Sequence, residues 1–162
     1  MKEPSLRLLF LTLVVLGASI SSHAQVKWVV GGNLGISIGS GWGGSSAGLQ
    51  LGPMAEAVFN KNMGVGSELN INTQAGTPIE WANYFKYYFS VPSSNIRPFA
   101  NAGFGLWLVT GGPYFGLRFG GGANFPIARN LSIAPELQLG PVFTTGSSTF
   151  VFVIRGGIRY DI

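Results

Sequence analysis

The chain has 162 residues, 25 of them glycine and none cysteine, and only 10% are charged. That length suits one domain, and the missing cysteine excludes both a disulfide framework and a lipid-modified N-terminal cysteine. Charge far below the ~25% of soluble domains argues against a surface bathed in water all round. A formal net charge of +4 without any basic run excludes a nucleic-acid footprint.

The first residues read as an export leader. Lys2 and Arg7 give a basic start, Leu8–Leu16 an apolar core, and Ser22-His23-Ala24 a small-residue cleavage site. The expected division is a signal peptide over residues 1–24 and a single mature domain over 25–162. Removing the leader takes away Lys2, Arg7, Glu3 and the single histidine, His23, leaving 8 − 5 = +3. No later stretch reaches the ~18 uninterrupted apolar residues of a spanning helix. A hydrophobic, glycine-rich, exported chain without a helical span fits a closed sheet, because only helices and barrels satisfy every backbone group in lipid.

Apolar and polar residues then alternate in eight segments. Val26–Gly39 sets Trp28, Val30, Leu34, Ile36 and Ile38 against Lys27, Asn33 and Ser37. After a loop at Gly39–Ser46, Ala47–Phe59 sets Leu49, Leu51, Ala55, Ala57 and Phe59 against Gln50 and Glu56. The loop's GSGWGG run superficially matches a phosphate-cradling loop but opens no helix, so it reads as an exposed connection. Asn60-Lys61-Asn62 is a tight turn. Met63–Gln74 opposes Val65, Leu69 and Ile71 to Glu68, Asn70, Asn72 and Gln74; Ala75–Pro78 turns the chain. Ile79–Phe89 opposes Ile79, Trp81, Phe85, Tyr87 and Phe89 to Glu80, Tyr84, Lys86 and Tyr88, and Ser90–Ile96 is a polar turn.

Arg97–Thr110 carries Ala100, Ala102, Phe104, Leu106 and Leu108 against Arg97, Asn101 and Gly103. Past Gly111-Gly112-Pro113, Tyr114–Ile127 sets Phe115, Leu117, Phe119, Ala123 and Phe125 against Arg118, Gly120, Gly122 and Asn124. Ala128-Arg129-Asn130 leads to Leu131–Phe143, with Leu131, Ile133, Leu137, Leu139 and Phe143 opposite Ser132, Glu136 and Gln138. Thr144–Ser148 leads to the closing segment Thr149–Ile162, whose apolar row ends at Tyr160 and Ile162 and whose other row holds Arg155, Arg159 and Asp161. The prediction is an all-β fold: an eight-stranded antiparallel up-and-down transmembrane β-barrel behind a cleavable signal peptide. Pro53, Pro135 and Pro141 fall inside these strands, where bulges or strand ends are expected.

The charges choose which row meets lipid. Of thirteen (8 + 5) charges after residue 24, Lys61 and Arg129 lie in turns and the other eleven all lie on the polar row. A basic residue facing mid-bilayer lipid costs about 2–4 kcal/mol, so the apolar row is expected outside. A soluble lipocalin-like barrel, with the faces reversed, is the alternative it argues against. Trp28, Phe59, Tyr87, Phe89, Phe125 and Tyr160 gather at the turn-side ends, and Trp81, Phe115 and Phe143 near the opposite ends, as interfacial aromatics do.

The chain resembles the small porin-like outer-membrane barrels of the OmpA/OmpX type. The resemblance rests on the leader, on Tyr87-Tyr88-Phe89 before a polar turn, on Arg97-Pro98-Phe99-Ala100-Asn101-Ala102-Gly103-Phe104-Gly105 opening a strand, and on the terminal strand. It implies the outer membrane of a Gram-negative-type envelope, contact with outer-membrane lipid and lipopolysaccharide, folding by the barrel-assembly machinery, and a monomer. Tyr160 at the third position from the end fits the family's assembly signal, whereas the family usually ends on an aromatic residue and this chain has Ile162.

Inside, Glu56, Glu68 and Glu136 are expected to pair with Lys86, Arg118, Arg155 and Arg159, closing the lumen. Hairpin counting puts Glu136 almost opposite Arg155, Glu68 opposite Lys86, and Arg118 beside Trp107 in reach of a cation–π contact. With no histidine or cysteine after residue 24, nucleophile–base constellations cannot be built, and no catalytic, metal or cofactor site is expected. Two functions remain: a structural or surface-interaction barrel, or a small porin passing ions or very small solutes.

Overall fold

The computed structural model describes residues 26–40, 45–74, 78–109 and 112–162. The leader expected over residues 1–24 and part of the first loop, residues 41–44, lie outside them. Eight strands follow in order: β1 (Lys27–Ser40), β2 (Ser45–Phe59), β3 (Met63–Asn72), β4 (Ile79–Tyr88), β5 (Arg97–Val109), β6 (Gly112–Ala128), β7 (Leu131–Thr144) and β8 (Ser147–Asp161). Each pairs antiparallel with its chain neighbours, and β8 returns to β1 to close the barrel. Closure leaves no sheet edge, the requirement for a sheet in hydrocarbon. The tight β2–β3 turn places Asn60 (φ 52°) and Lys61 (φ 61°) in the left-handed region, matching the twist of a hairpin.

Three prolines depart from expectation. Pro53, Pro135 and Pro141 sit within β2 and β7 without a bulge, and the register stays constant across each. Each keeps its pairing with one neighbouring strand (Gly32, Gly156 and Phe150 respectively) and loses it on the other side. A strand residue aims its N–H at one neighbour only, so a proline interrupts one ladder and spares the other. The register shift that does occur lies at Pro126–Ala128, next to the β6–β7 turn.

Period two sorts the side chains onto two surfaces. Leu34 and Ile158 are 61% and 60% exposed on the outside, whereas Arg155 and Arg159 are 5% and 3% exposed in the lumen. Every charged strand residue belongs to the inward row, the reverse of a soluble barrel. The outer belt carries Tyr87 against Phe89 near one rim and the stack Phe104–Phe115–Phe143 towards the other. A small apolar cluster, Val29, Val58, Tyr88, Phe99 and Ala134, fills the turn-side end of the lumen.

Candidate functional site

The lumen buries four carboxylates, Glu56, Glu68, Glu80 and Glu136, and four cations, Lys86, Arg118, Arg155 and Arg159, a balance of 4 − 4 = 0. Alternation along the strands delivers all eight inward, and side-chain length lets them meet across a narrow barrel. They separate into two clusters.

The turn-side cluster is built on β2 and β4. Lys86 Nζ donates to Glu56 Oε2 at 2.6 Å, the Tyr84 hydroxyl donates to the same oxygen at 3.0 Å, and the Tyr88 hydroxyl donates to Oε1. The ammonium also lies 4.8 Å from the Tyr84 ring centroid and 4.6 Å from that of Phe99, within cation–π range. Gly64 and Gly66 of β3 make the room: a Cβ on Gly64 would come within 2.5 Å of Glu56 Oε1, and one on Gly66 would strike the Tyr84 ring. Below, Arg97 stacks 4.4 Å over Tyr88 and donates to the Lys61 carbonyl, tying two turns together across the mouth.

The central cluster is shared among more partners. Arg155 donates through Nη1 and Nη2 to Glu68 at 2.8 and 3.0 Å, and through Nε and Nη2 to Glu136 at 3.1 and 2.9 Å. Arg118 Nη1 donates to Glu68 at 2.5 Å, and its Nε lies 3.3 Å from Glu80. Arg159 donates to Asn33 at 2.6 Å and stands 3.9 Å from Glu136. Amides add further hydrogen bonds to these carboxylates: Asn70 donates to Glu68 at 2.9 Å and to Glu80 at 3.0 Å, Asn101 and Gln138 to Glu136 at 2.5 and 2.8 Å.

Trp107 crosses the lumen on the loop side of this cluster. Gly105 and Gly116 admit its ring, since a Cβ on either would lie 2.8 or 2.7 Å from it. Two cavities of about 10 Å³ each flank the indole, one against Glu80, Arg118 and Gln138, the other against Ser37, Asn72 and Thr149. Each is of the size and polarity for a single water molecule. Buried atoms without a hydrogen-bond partner concentrate here: Gln50 Oε1, Asn70 Oδ1, Asn72 Oδ1, Glu80 Oε1, Arg118 Nη2 and Gln138 Oε1.

Glu136 and Arg155, almost opposite by hairpin counting, are direct ladder partners. Glu68 is not opposite Lys86: the β3–β4 ladder runs Ile71 to Ile79, so Gly64 faces Lys86 and Glu68 faces Ala82. That four-residue offset sends Lys86 to Glu56 and frees Glu68 for two arginines. Arg118 turns to Glu68 and Glu80 and makes no cation–π contact with Trp107 among the described residues; the cation–π cations are Lys86 and Arg97. Tyr84 and Tyr88 enter the clusters with no role assigned from sequence, and the Tyr-x-Lys-x-Tyr spacing at 84–88 is their signal; Glu80 joins as one of the inward acids. At the rims, Trp28, Trp81, Tyr87, Phe89 and Tyr160 are exposed and Phe59 and Phe125 half-exposed. The Ile162 amide donates to the Trp28 carbonyl at 2.9 Å, next to Tyr160 on the outer row. Among the described residues no group of three His, Cys, Asp or Glu is arranged to hold a metal ion.

Comparison with solved structures finds the same architecture. Neisserial surface protein A superposes with a TM-score of 0.71 at 13% identity, over 82% of this chain and 96% of its own. The fold is that of the eight-stranded outer-membrane barrels. The N-terminal β-barrel domain of Pseudomonas aeruginosa OprF gives a TM-score of 0.63 at 12% identity, covering 85% of this chain and all (100%) of that one. OprG, an outer-membrane protein of Pseudomonas aeruginosa, gives 0.53 at 11% identity over 85% and 97% of the two chains. No family model and no curated protein matches the sequence.

Proposed function

We propose that the chain is an integral outer-membrane barrel with a structural or surface-interaction role and a lumen closed by its own ion pairs. The observation that carries this reading is the lumen's neutrality: four acids meet four bases inside the wall, and the spaces beside them hold about 10 Å³. The apolar belt supplies the contact with lipid. Contact with lipopolysaccharide runs through acyl chains, since the loop-end connections, residues 41–44, 73–78, 110–111 and 145–146, contain no lysine or arginine to meet phosphate. Tyr160 on the closing strand and Ile162 just past it are the segment offered to the assembly machinery.

Planar-bilayer recording tests the closure. Wild type, Glu136→Gln and Arg155→Gln are expected to stay silent, because the Glu56–Lys86–Tyr88 cluster remains shut below them. Steady single-channel openings in the wild type would replace this reading with the small porin. The polar cavities around Trp107 are the feature that favours that second reading, and a conducting Tyr88→Ala variant alongside a silent wild type would locate the seal at the turn-side cluster.

A further inference from the structure

One part of the outer belt does not match the rest. Away from the strand ends, the outward row of the described residues is apolar, glycine or proline except at Ser67 and Asn83. These two are ladder partners on β3 and β4, in the cross-strand row Ala55–Ser67–Asn83–Phe104. The next row, Ala57–Val65–Phe85–Ala102, is also rich in small side chains. Together they form a recess of about 630 Å³ walled by Trp28, Phe85 and Phe104. Ser67 is already occupied, accepting from the Trp81 indole N–H at 2.9 Å. The Asn83 side chain makes no hydrogen bond among the described residues, although it is the fifth of ten residues in β4 and so sits midway across the wall.

We infer that this recess is where a second copy of the chain docks, the two Asn83 amides pairing across a two-fold axis along the membrane normal. An acyl chain fits the recess by shape but offers no donor or acceptor, so it leaves the amide unpaired in hydrocarbon, where such groups are costly. A carboxamide is its own complement, with a carbonyl that accepts and an NH₂ that donates. All copies in one membrane share an orientation, so a two-fold contact brings the same residue face to face and satisfies one donor and one acceptor on each side. Small neighbours let two walls approach closely enough for that exchange. The inference rests on the outward belt facing lipid, and it replaces the monomer expected from sequence with a dimer through the β2–β5 face.

The absence of cysteine allows a clean test in phospholipid vesicles at high lipid excess. Ala102→Cys, beside Asn83 with the amide intact, is treated with a flexible bismaleimide, next to Ile154→Cys on the opposite wall. The expected result is a cross-linked species of twice the mass for Ala102→Cys and monomer for Ile154→Cys. Adding Asn83→Leu to Ala102→Cys is expected to weaken self-association, read by fluorescence energy transfer between labelled copies, about tenfold. Equal cross-linking at both positions, none at either, or full association in Asn83→Leu overturns the inference, as does cross-linking in native envelopes to a different protein alone. Heat-modifiable migration of each variant reports barrel insertion separately, so loss of the dimer is distinguished from failure of the membrane reading.

Discussion

The two halves of the lumen solve the same electrostatic problem differently. On the turn side, one carboxylate, one ammonium and two phenols form a closed set walled by Phe99, Val29 and Val58, and none of their buried side-chain atoms lacks a partner among the described residues. In the centre, three carboxylates share three guanidinium groups with a lining of amides, and the unpartnered atoms accumulate there beside the two small cavities. Aromatic walls raise the cost of an imperfect pair, so the first cluster is small and complete. Amides tolerate rearrangement and water, so the second spreads its charge and leaves polar atoms over. The turn-side cluster is therefore the rigid part of the lumen lining, and the central one is the compliant part.

The comparison breaks most decisively at Arg155. Arg155→Ala leaves Glu136 without its main cation and halves the cover on Glu68, and is expected to cost about 3–5 kcal/mol of stability by urea unfolding from lipid vesicles. Its strand neighbour on the other surface sharpens the assignment of faces. Ile154→Arg puts a cation into the acyl chains and is expected to cost about 2–4 kcal/mol in the same measurement, against little for a polar residue added to the lumen. Tyr88→Phe removes one hydrogen bond to the Glu56 carboxylate, the partner of Lys86 in the turn-side cluster, while keeping the ring under Arg97. A loss of about 1.5 kcal/mol is expected, and a neutral result would show that this cluster is as forgiving as the central one. Lys27→Ala, which breaks a pair with Asp161 at 2.6 Å whose lysine side chain is 49% exposed, marks the floor of the scale at under about 1 kcal/mol.

Much of this architecture is legible in the sequence because its signal is local. Two-residue alternation and turn chemistry locate eight strands, and the solvation cost of charge decides which face turns inward. Register is a different matter. Glu68 and Lys86 share the inward row, but whether they meet depends on how the chain between Asn72 and Ile79 closes, and no periodicity encodes that. Shared hydrogen bonding is equally hidden: Glu80 reads as one more inward acid until Asn70 and Arg118 are seen around it. Asn83 is silent in the sequence for another reason. One polar residue in an otherwise apolar row has no weight in a pattern, and gains meaning only when its neighbours prove to be small and its amide solitary.

The charges at the two rims also differ. Lys27, Lys61, Arg97 and Arg129 all stand at the turn end, with Asp161 as the one acid, while the loop-end connections contain no ionisable side chain. Dragging an ion across hydrocarbon is the steepest step in threading a polypeptide through a bilayer, and one end of this cylinder is spared it. Carrying the uncharged end through acyl chains costs less than carrying the cationic one, so the two rims are unequal partners for a lipid bilayer.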